Sequence, residues 1–373
     1  MHAADFVLDD DIIYLNHAAV APWPKRTAAA VRDFADENAR QCSQNYPGWL
    51  ETEAQLREQL RSLLNAESVD EIALLKNTSE GLSVVAWGLP WKAGDNVVIS
   101  NQEFPSNRVV WESLATRGVE TRQVDLAQAD TPENALINAL DARTRILSIS
   151  SVQYGTGLRI NLPRLGNACR ERDILFCVDA IQSLGAVRFD VQAAQADFVM
   201  ADGHKWMLGP EGLAVFYCRR GAMDTLALRQ FGWHMLQDYL NFDSHSGEIA
   251  ASARRFECGS PNMTGIHALH ASLGLLADVG MATVEQLVLE NTRFMLDFLQ
   301  SHADEFEVIT PTQTDQHAGI VTFRPRLESA DTLFHMLRSN HVACAQRGGG
   351  IRFSPHYYTP RKKLFTALEM LTG

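Results

Sequence analysis

The stretch FVMADGHKWMLGPEGLAVFY, residues 198–217, begins and ends with apolar runs that are typical of buried β-strands. Between the two runs lie an acid, a histidine and a lysine, Asp202, His204 and Lys205. A lysine at the end of a strand is more often a surface residue than a functional one. The surrounding sequence therefore has to decide what Lys205 does.

Short apolar runs alternate with helical patterns through the first 250 residues. Examples are DNVVISN (95–101), RILSISSVQ (145–153) and ILFCVDA (174–180). Such runs, separated by helices, predict an α/β fold with a mostly parallel sheet and crossover helices. Ligands of these sheets bind beyond the carboxyl ends of the strands. The residues that follow predicted strands are therefore functional candidates: Ser79, Phe104, Gln153, Asp179 and Lys205.

After about residue 250 the pattern changes to long amphipathic helices and a few short strands. Residues 265–280 and 283–302 predict helices, and the runs FEVITP, GIVTFRP and GIRFSP predict strands. We therefore predict a large domain over residues 16–255 and a smaller α+β domain over residues 256–373. Residues 1–15 are expected to pack near the smaller domain.

The composition excludes several classes of protein. The 373 residues are 46% hydrophobic and 21% charged, and a net charge of -12 argues against a nucleic-acid partner. The sequence shows neither a signal peptide nor an apolar run of about 20 residues, so no membrane association is expected. Its six cysteines lack CxxC spacing. We expect free thiols in a reducing cytoplasm and no metal site.

Lys205 and Asp179 are the first functional pair that the sequence suggests. Asp179 ends a predicted strand 26 residues before Lys205, a spacing that fits one crossover unit of a parallel sheet. An acid and a lysine at neighbouring strand ends can face the same small ligand. Pyridoxal phosphate needs both, because the lysine forms an imine with it and the carboxylate keeps its pyridine nitrogen protonated.

A possible phosphate site lies in KNTSEGLS, residues 76–83. Thr78 and Ser79 come at the start of a predicted helix, where backbone N–H groups and the helix dipole favour an anion. An ordinary helix N-cap explains this segment equally well. Similarly, Phe104 could hold the flat cofactor ring, although an isolated phenylalanine is more often a core residue.

Eight segments, in this order, resemble the fold-type I pyridoxal phosphate enzymes of aminotransferase class V. That group includes cysteine desulfurases, selenocysteine lyase and isopenicillin N epimerase. The segments span nearly the whole chain: YLNHAAVAPWP, KNTSEGLS, NQEFPSN, SVQYGTG, VDAIQSLGA, DGHKWMLGPEG, RRFECGSPN and IRFSPHYY. The resemblance implies a mostly parallel sheet of the seven-stranded type in the large domain. It also implies a homodimer with shared active sites.

The resemblance further implies a role for each matching residue. Lys205 is the expected Schiff-base lysine, Asp179 the partner of the pyridine nitrogen, and Arg352 the clamp of the substrate α-carboxylate, a bidentate contact that suits a guanidinium. The other implied contacts are Thr78, Ser79, His204 and the neighbouring subunit's Ser260 at the phosphate, Phe104 and Gln182 at the ring, Gln153 as a possible substitute for a family asparagine, and Asn16 and His17 on the substrate side.

Two positions depart from the desulfurase pattern. Asp202 lies where desulfurases usually have serine, and a carboxylate repels a phosphate. We therefore expect its side chain to point elsewhere or to accept a backbone hydrogen bond. Cys344 lies only eight residues before Arg352, in an apolar alternation that predicts a strand. A thiol in such a place is usually inert packing rather than a nucleophile.

The preferred hypothesis is a pyridoxal phosphate enzyme that acts on a small amino acid through a Lys205 aldimine. Its chemistry at the α-carbon would be aminotransferase-like or that of a lyase. Cysteine desulfurase or selenocysteine lyase, and an amino-acid epimerase, are the alternatives. A non-catalytic binding protein of the same fold is a hypothesis from another class. A nicotinamide dehydrogenase is disfavoured because the GxGxxG turn is missing.

Overall fold

The computed structural model describes residues 2–126 and 131–372. Its strands are β1 (Ile13–Tyr14), β2 (Ile72–Leu75), β3 (Asn96–Ser100), β4 (Glu120–Val124), β5 (Thr144–Ser150), β6 (Leu175–Asp179), β7 (Phe198–Asp202), β8 (Ala214–Cys218), β9 (Phe306–Val308), β10 (Val321–Pro325), β11 (Val342–Ala343), β12 (Ala345–Arg347) and β13 (Gly350–Phe353). Its α-helices are α1 (Lys25–Gln41), α2 (Tyr46–Leu64), α3 (Thr78–Gly88), α4 (Ser106–Glu112), α5 (Pro132–Asn138), α6 (Leu162–Arg170), α7 (Met263–Val279), α8 (Met281–Ser301), α9 (Ala330–Ser339) and α10 (Arg361–Glu369).

A seven-stranded sheet has the strand order β2-β8-β7-β6-β5-β3-β4. Only β8 runs antiparallel to its neighbours, and the other described strands of this sheet run parallel to one another. Strands β2, β3 and β8 are buried along their whole length. This burial explains why their sequences are continuous apolar runs rather than alternating ones. The predicted α/β fold with a mostly parallel sheet is confirmed.

The order of the strands brings Asp179 and Lys205 to one edge. Strands β6 and β7 are parallel neighbours, with Asp179 paired to Met200, so their carboxyl ends lie side by side. Asp179 is the last residue of β6, and Lys205 lies in the turn after β7. The connection over residues 180–197, all of which are described, is built from turns and contains no α-helix. The spacing therefore reflects adjacent strands without a crossover helix.

The C-terminal strands form a second sheet, antiparallel throughout, with the order β12-β13-β10-β9. The N-terminal strand β1 pairs with β11 beside it, through Ile13 and Val342. Ile13 and Leu15 are buried in the same apolar cluster as Phe323 and Phe353. Residues 13–15 therefore pack on the C-terminal unit, because their apolar side chains find their partners there.

Helix α7 packs on the large sheet's side of the molecule. Its residues Ile266, Leu269 and Leu273 belong to one buried cluster with Leu56 and Leu60 of α2. The domain boundary after residue 255 stays a prediction.

Within the described ranges, no single helix is long and apolar enough to cross a membrane. Helices α7 and α8 reach that length only together, and they meet at an angle of 83°.

Candidate active site

A cavity of about 280 Å³ lies at the carboxyl edge of the seven-stranded sheet. Eight of the twelve residues that the sequence singled out line this cavity: Lys205, Asp179, Gln182, His204, Thr78, Ser79, Phe104 and Arg352. They come from distant parts of the chain, and the sheet and the C-terminal hairpin bring them together. A larger groove, of about 870 Å³, lies between α2, α7 and the start of α8, but no lysine lines it in the described part of the chain.

Lys205 is buried and lines this cavity, with its Nζ 5.6 Å from the centre of the Phe104 ring. Burial lowers the pKa of Lys205 from its ordinary value. The Asp179 carboxylate opposes this change, whereas the positive charges of Arg352 and Arg347 add to it. The amine of Lys205 therefore gives up its proton more readily than a surface lysine does.

Asp179 provides a fully buried carboxylate beside Lys205. Burial raises its pKa, and the Ile181 N–H, which donates to Oδ1 over 3.0 Å, and the Lys205 ammonium lower it. A buried carboxylate of this kind favours a cationic partner. A protonated ring nitrogen would supply one, so the position of Asp179 fits the cofactor that the sequence predicts.

The first turn of α3 faces the cavity with hydroxyl groups. The helix begins at Thr78, and Asn77 is its N-cap, whose Oδ1 accepts from the Glu80 N–H over 2.8 Å. Thr78 and Ser79 therefore lie within the first turn rather than before it. The Thr78 hydroxyl accepts from the Asp202 N–H over 3.1 Å, and the Ser79 hydroxyl donates to Ser106 over 2.8 Å. Hydroxyls at a helix N-terminus suit a phosphate.

Two buried polar atoms beside this turn lack a hydrogen-bond partner in the described part of the chain: His204 Nδ1 and Asp202 Oδ1. Burial and the charge of Lys205 lower the pKa of His204 to about 4, so its ring is neutral near pH 7. Buried polar atoms without partners indicate a ligand that would supply them. Hydroxyls, an imidazole and a helix N-terminus form a donor set that fits the cofactor phosphate.

The Asp202 side chain does not point away from the cavity, but the other alternative that we expected, a hydrogen bond accepted from the backbone, is met by Thr78. Its side chain lines the cavity together with Thr78 and His204, and its Oδ2 lies 3.9 Å from His204 Nδ1. Strand β7 ends at Asp202, whose backbone N–H donates to the Thr78 hydroxyl, so the end of β7 lies against the first turn of α3. Burial raises the pKa of Asp202 to about 6, although the Thr78 N–H and Lys205 oppose the rise.

Gln182 and Phe104 border the middle of the cavity. The Gln182 Nε2 donates to the carbonyl of Ala18 over 3.0 Å, and its Oε1 accepts from the Trp206 indole over 2.8 Å. These two bonds fix the amide and leave its second N–H hydrogen for a ligand. The ring of Phe104 is 41% exposed and meets Tyr154 edge-on at 5.1 Å, so one of its faces is available for stacking.

Arg352 provides a buried guanidinium in the lining of the cavity. Its Nη1 donates to the carbonyl of Tyr154 over 2.8 Å, and its Nη2 lies 3.4 Å from Asn16 Oδ1. Its Nε has no partner among the described residues. Burial, followed by the charge of Arg347, lowers the pKa of Arg352 to about 10, and it stays charged near neutral pH. A buried cation held by neutral groups is suited to bind a carboxylate.

Four of the predicted site residues do not line the cavity: Asn16, His17, Gln153 and Ser260. Asn16 reaches the cavity only through its contact with Arg352. His17 is buried between Ser354 and Tyr358. Gln153 turns to Glu103, to which its Nε2 donates over 2.8 Å. Ser260 lines a separate cavity of about 260 Å³.

None of the six cysteines, all of which lie in the described ranges, lines the 280 Å³ cavity. Cys344 belongs to the apolar core of the C-terminal unit, and burial raises its pKa to about 12. Cys258 is partly exposed beside Ser260. A thiol with a raised pKa is a poor nucleophile, since the thiolate is the reactive form.

The sequence missed several residues that line the cavity, among them Tyr154, Ser106, Glu211 and Arg347. Tyr154 lies in the segment SVQYGTG, which was among those that resemble the family, and Arg347 lies five residues before Arg352. The sequence thus drew attention to both regions, but it did not show which of their side chains face the ligand. Ser106 could have been found from its position at the start of α4, after a strand end.

The chain is similar over most of its length to several known proteins. A probable cysteine desulfurase from Methanothermobacter thermautotrophicus is 29% identical over 99% of this chain and 97% of its own length. A cysteine desulfurase from Klebsiella pneumoniae is 30% identical over 79% of this chain and 74% of its own. A solved cystine C-S lyase, C-DES, in complex with cysteine persulfide, has a TM-score of 0.89 at 21% identity, covering 97% of both chains.

The family model of aminotransferase class V matches residues 13–357, which is most of the chain. A related solved structure contains glycine covalently linked to the PLP cofactor. The cavity is lined by a lysine, a buried acid and a set of hydrogen-bond donors that could bind a phosphate. The chain therefore belongs to the aminotransferase class-V family and is a pyridoxal phosphate-dependent enzyme of amino-acid chemistry.

Proposed function

We propose that this enzyme acts at the α-carbon of a small amino acid as a lyase or an aminotransferase-like enzyme, with Lys205 as its catalytic residue. One observation carries the proposal: Lys205, Asp179 and Arg352 face the same cavity, and both the acid and the guanidinium lie close enough to Lys205 to change its pKa. A binding protein without catalysis needs neither a buried lysine nor a buried acid, so the pair argues against that alternative.

The cofactor would be held at three places. The first turn of α3 and His204 would bind its phosphate, Asp179 would keep a proton on its pyridine nitrogen, and Gln182 and Phe104 would fix its ring. When bound, pyridoxal phosphate accepts the electron pair that the substrate α-carbon keeps after it loses a bond. Ser260 of a second subunit would complete the phosphate site.

The protein side chains would orient the substrate and move its proton. Arg352 would bind the α-carboxylate through its free Nε–H and a neighbouring N–H, and so hold the α-carbon near Lys205. The Nζ of Lys205 would accept the α-proton, a role that its lowered pKa supports. The burial of both groups keeps water away from the reacting atoms.

The surroundings of the cysteines favour a reaction that uses no protein thiol. Cys344 lies in the core of the C-terminal unit, and among the described residues no thiol lines the cavity. Transamination and β-elimination both proceed without one. The similarity to a solved cystine C-S lyase supports elimination at a carbon–sulfur bond.

A cysteine desulfurase is the second candidate, because several relatives of this chain are named so. That reaction would need a cysteine that receives sulfur from the substrate. Cys344 would have to leave its buried position, or Cys258 would have to act from outside the described cavity. Epimerisation of the substrate would be a further outcome of the same proton abstraction.

The test is to treat the purified holoenzyme with borohydride, which fixes the cofactor to its lysine, and to identify the labelled peptide by mass spectrometry. We expect the label on Lys205 and a loss of activity of at least about a thousandfold in Lys205→Ala. Lys92→Ala, which removes an exposed lysine, is the matched control. Label on another lysine, or full activity of Lys205→Ala, would overturn the proposal.

A panel of amino acids then separates the possible reactions through the products: keto acid, ammonia, sulfide or the D-enantiomer. Sulfide release from cysteine or cystine that persists in Cys344→Ala and Cys258→Ala identifies direct elimination. Release that disappears in either variant identifies the desulfurase reaction instead. A spectrum of the variant's bound cofactor shows whether the substitution has disturbed the site itself.

We also propose that the enzyme is a homodimer and that it works in a reducing compartment such as the cytoplasm. The family resemblance of the CGSPN segment supports the dimer, since Ser260 lies outside the cavity of its own chain. All six cysteines are free, which supports a reducing compartment.

A further inference from the structure

We propose that Arg347 makes this enzyme selective for small amino acids whose side chain carries its own negative charge, as a carboxylate or a sulfinate. The inference rests on the proposed function, because it takes Arg352 as the residue that binds the α-carboxylate. It adds a second anion-binding group to the same cavity and so names the class of the substrate.

The register of one hairpin places the two arginines on a common face. Strands β12 and β13 pair Ala345 with Arg352 and Arg347 with Gly350. Directly opposite residues of an antiparallel pair point to the same face, and so do residues two apart along a strand. Arg347 and Arg352 are therefore diagonal neighbours, about 7–8 Å apart at the backbone. Both line the 280 Å³ cavity.

The positions opposite the two arginines are occupied by small residues. Gly350 faces Arg347 across the hairpin, and Ala345 faces Arg352. Neither partner has a side chain long enough to fill the space between the guanidinium groups. The hairpin thus presents two cations on one face, and both of them border the 280 Å³ cavity.

The tip of the hairpin is held in place. Gly348 and Gly349 have φ values of 59° and 78°, which a two-residue turn of this kind requires. A Cβ atom on Gly348 would lie 2.5 Å from the carbonyl oxygen of Gly155, so the tip packs directly on the neighbouring loop. The Arg324 Nε also donates to the carbonyl of Gly349 over 3.0 Å. Arg347 therefore starts from a fixed backbone position.

Neither guanidinium group forms an ion pair with an acidic side chain of the described ranges. In the part of the chain that the structure describes, Arg347 forms no ion pair, and its Nη1 donates to the carbonyl of Gln346 over 2.8 Å. Among the described residues, the hydrogen-bond partners of Arg352 are the neutral groups of Tyr154 and Asn16. Burial lowers the pKa of Arg352 and the charge of Arg347 lowers it further, so the two cations disfavour one another.

A substrate with a single carboxylate would neutralise only Arg352. An amino acid with a second anionic group, a few bonds from its α-carbon, would reach Arg347 as well. Hydrogen bonds to charged groups are strong enough to change affinity by about tenfold to a hundredfold. Because Arg347 is exposed at the mouth of the cavity, we expect an effect near the lower end of that range.

The test measures dissociation constants on the holoenzyme from the change in the visible absorbance of its cofactor. L-Aspartate and L-cysteine sulfinate distinguish the two anionic groups, and L-alanine and L-serine are the neutral probes. We expect Arg347→Gln to weaken binding of the acidic amino acids by about tenfold and binding of L-alanine by less than about twofold. Arg347→Lys, which keeps the charge, should retain part of the preference.

Arg143→Gln is the matched control. It also removes one positive charge, but from an exposed residue at the opposite edge of the sheet, just before β5. An equal loss of affinity for acidic and neutral amino acids in Arg347→Gln would overturn the inference, as would neutral amino acids that bind the unaltered enzyme as tightly as acidic ones. If no amino acid changed the cofactor spectrum, that result would contradict the proposed function itself, rather than the inference about Arg347 alone.

Discussion

Asp202 places a carboxyl group at the end of the cavity where the first turn of α3 favours an anion. Glu211 and Asp179 add negative charge near Asp202 and so favour its protonated form. Lys205 and the Thr78 N–H favour its ionised form. A carboxylate and a phosphate repel one another unless a proton lies between them. Burial raises the pKa of Asp202 to about 6, so this proton is bound below that pH and is lost above it.

We therefore predict that the affinity of the apoenzyme for pyridoxal phosphate falls as the pH rises through about 6, by up to about tenfold per pH unit. Asp202→Ser should reduce this slope, since it removes the titrating group. Equilibrium dialysis of the cofactor at a series of pH values measures this slope, and Glu171→Gln, at an exposed residue outside the cavity, serves as the control. The phosphate's own titration is common to all variants, so identical slopes would contradict the prediction.

A buried ion-pair cluster joins three elements around the segment that carries Ser260. Arg57 of α2 binds Glu53 one turn earlier, over 2.5 Å, and both oxygens of Glu257, over 2.6 and 2.8 Å. Glu257 also accepts from the Leu74 N–H of β2 over 2.8 Å. Removal of one partner would leave a buried charge without its counterion.

For this reason we predict that Glu257→Gln lowers the free energy of unfolding by about 3–5 kcal/mol near neutral pH. Burial alone raises the pKa of Glu257, but Arg57, His234 and the Leu74 N–H lower it to about 2. A depressed folded-state pKa stabilises the fold above the unfolded value of 4.5, and this stability is lost as the pH falls toward 2. Urea unfolding at neutral and acid pH measures both effects.

An exposed ion pair provides the control for this prediction. Arg108 and Glu112 lie 2.8 Å apart on α4, with side chains 40% and 37% exposed. Glu112→Gln should change the stability by no more than about 1 kcal/mol, because solvent screens such pairs. If Glu257→Gln had an effect as small as this, the cluster would not join the three elements as the structure indicates.

At the scale of the whole molecule, large apolar side chains are exposed in one segment. Phe231, Leu240 and Phe242 are 71%, 47% and 76% exposed, and Phe242 packs against Trp233 at 5.7 Å. A patch of this kind on a monomer usually marks an interface. The Cys258 thiol donates to Gln230 Oε1 over 3.4 Å, and a Cβ atom on Gly232 would lie 1.8 Å from the Cys258 carbonyl oxygen. The segment therefore packs beside the region of Ser260 that the homodimer would share.

We predict that the unaltered enzyme sediments as a dimer and that Phe231→Asp combined with Phe242→Asp shifts it toward the monomer. The double variant should also lose its cofactor more readily, because Ser260 would no longer reach a second subunit. Leu327→Asp, at a residue 79% exposed on the C-terminal unit, is the control and should stay dimeric. A monomeric unaltered enzyme that keeps its cofactor would exclude the shared site.

Much of the fold and the centre of the site could be predicted from the sequence. Asp179 and Lys205 each follow an apolar run, and strand ends can be recognised from such local patterns. Thr78 and Ser79 were found for a similar reason, since a helix start has a local signature, although the cap proved to be Asn77. These predictions depend only on neighbours along the chain.

The remaining assignments needed the tertiary structure. Gln153 follows a strand as Lys205 does, but it turns to the buried Glu103, and only the packing around β5 decides that direction. Arg347 shares the cavity with Arg352 because of the register between β12 and β13, and a shift by one residue would send its side chain to the other face. By itself, the sequence determined the sheet, the lysine and its acid, because their signals are local and periodic. The tertiary structure alone decided which other charges face them, because register and long-range packing bring those charges there.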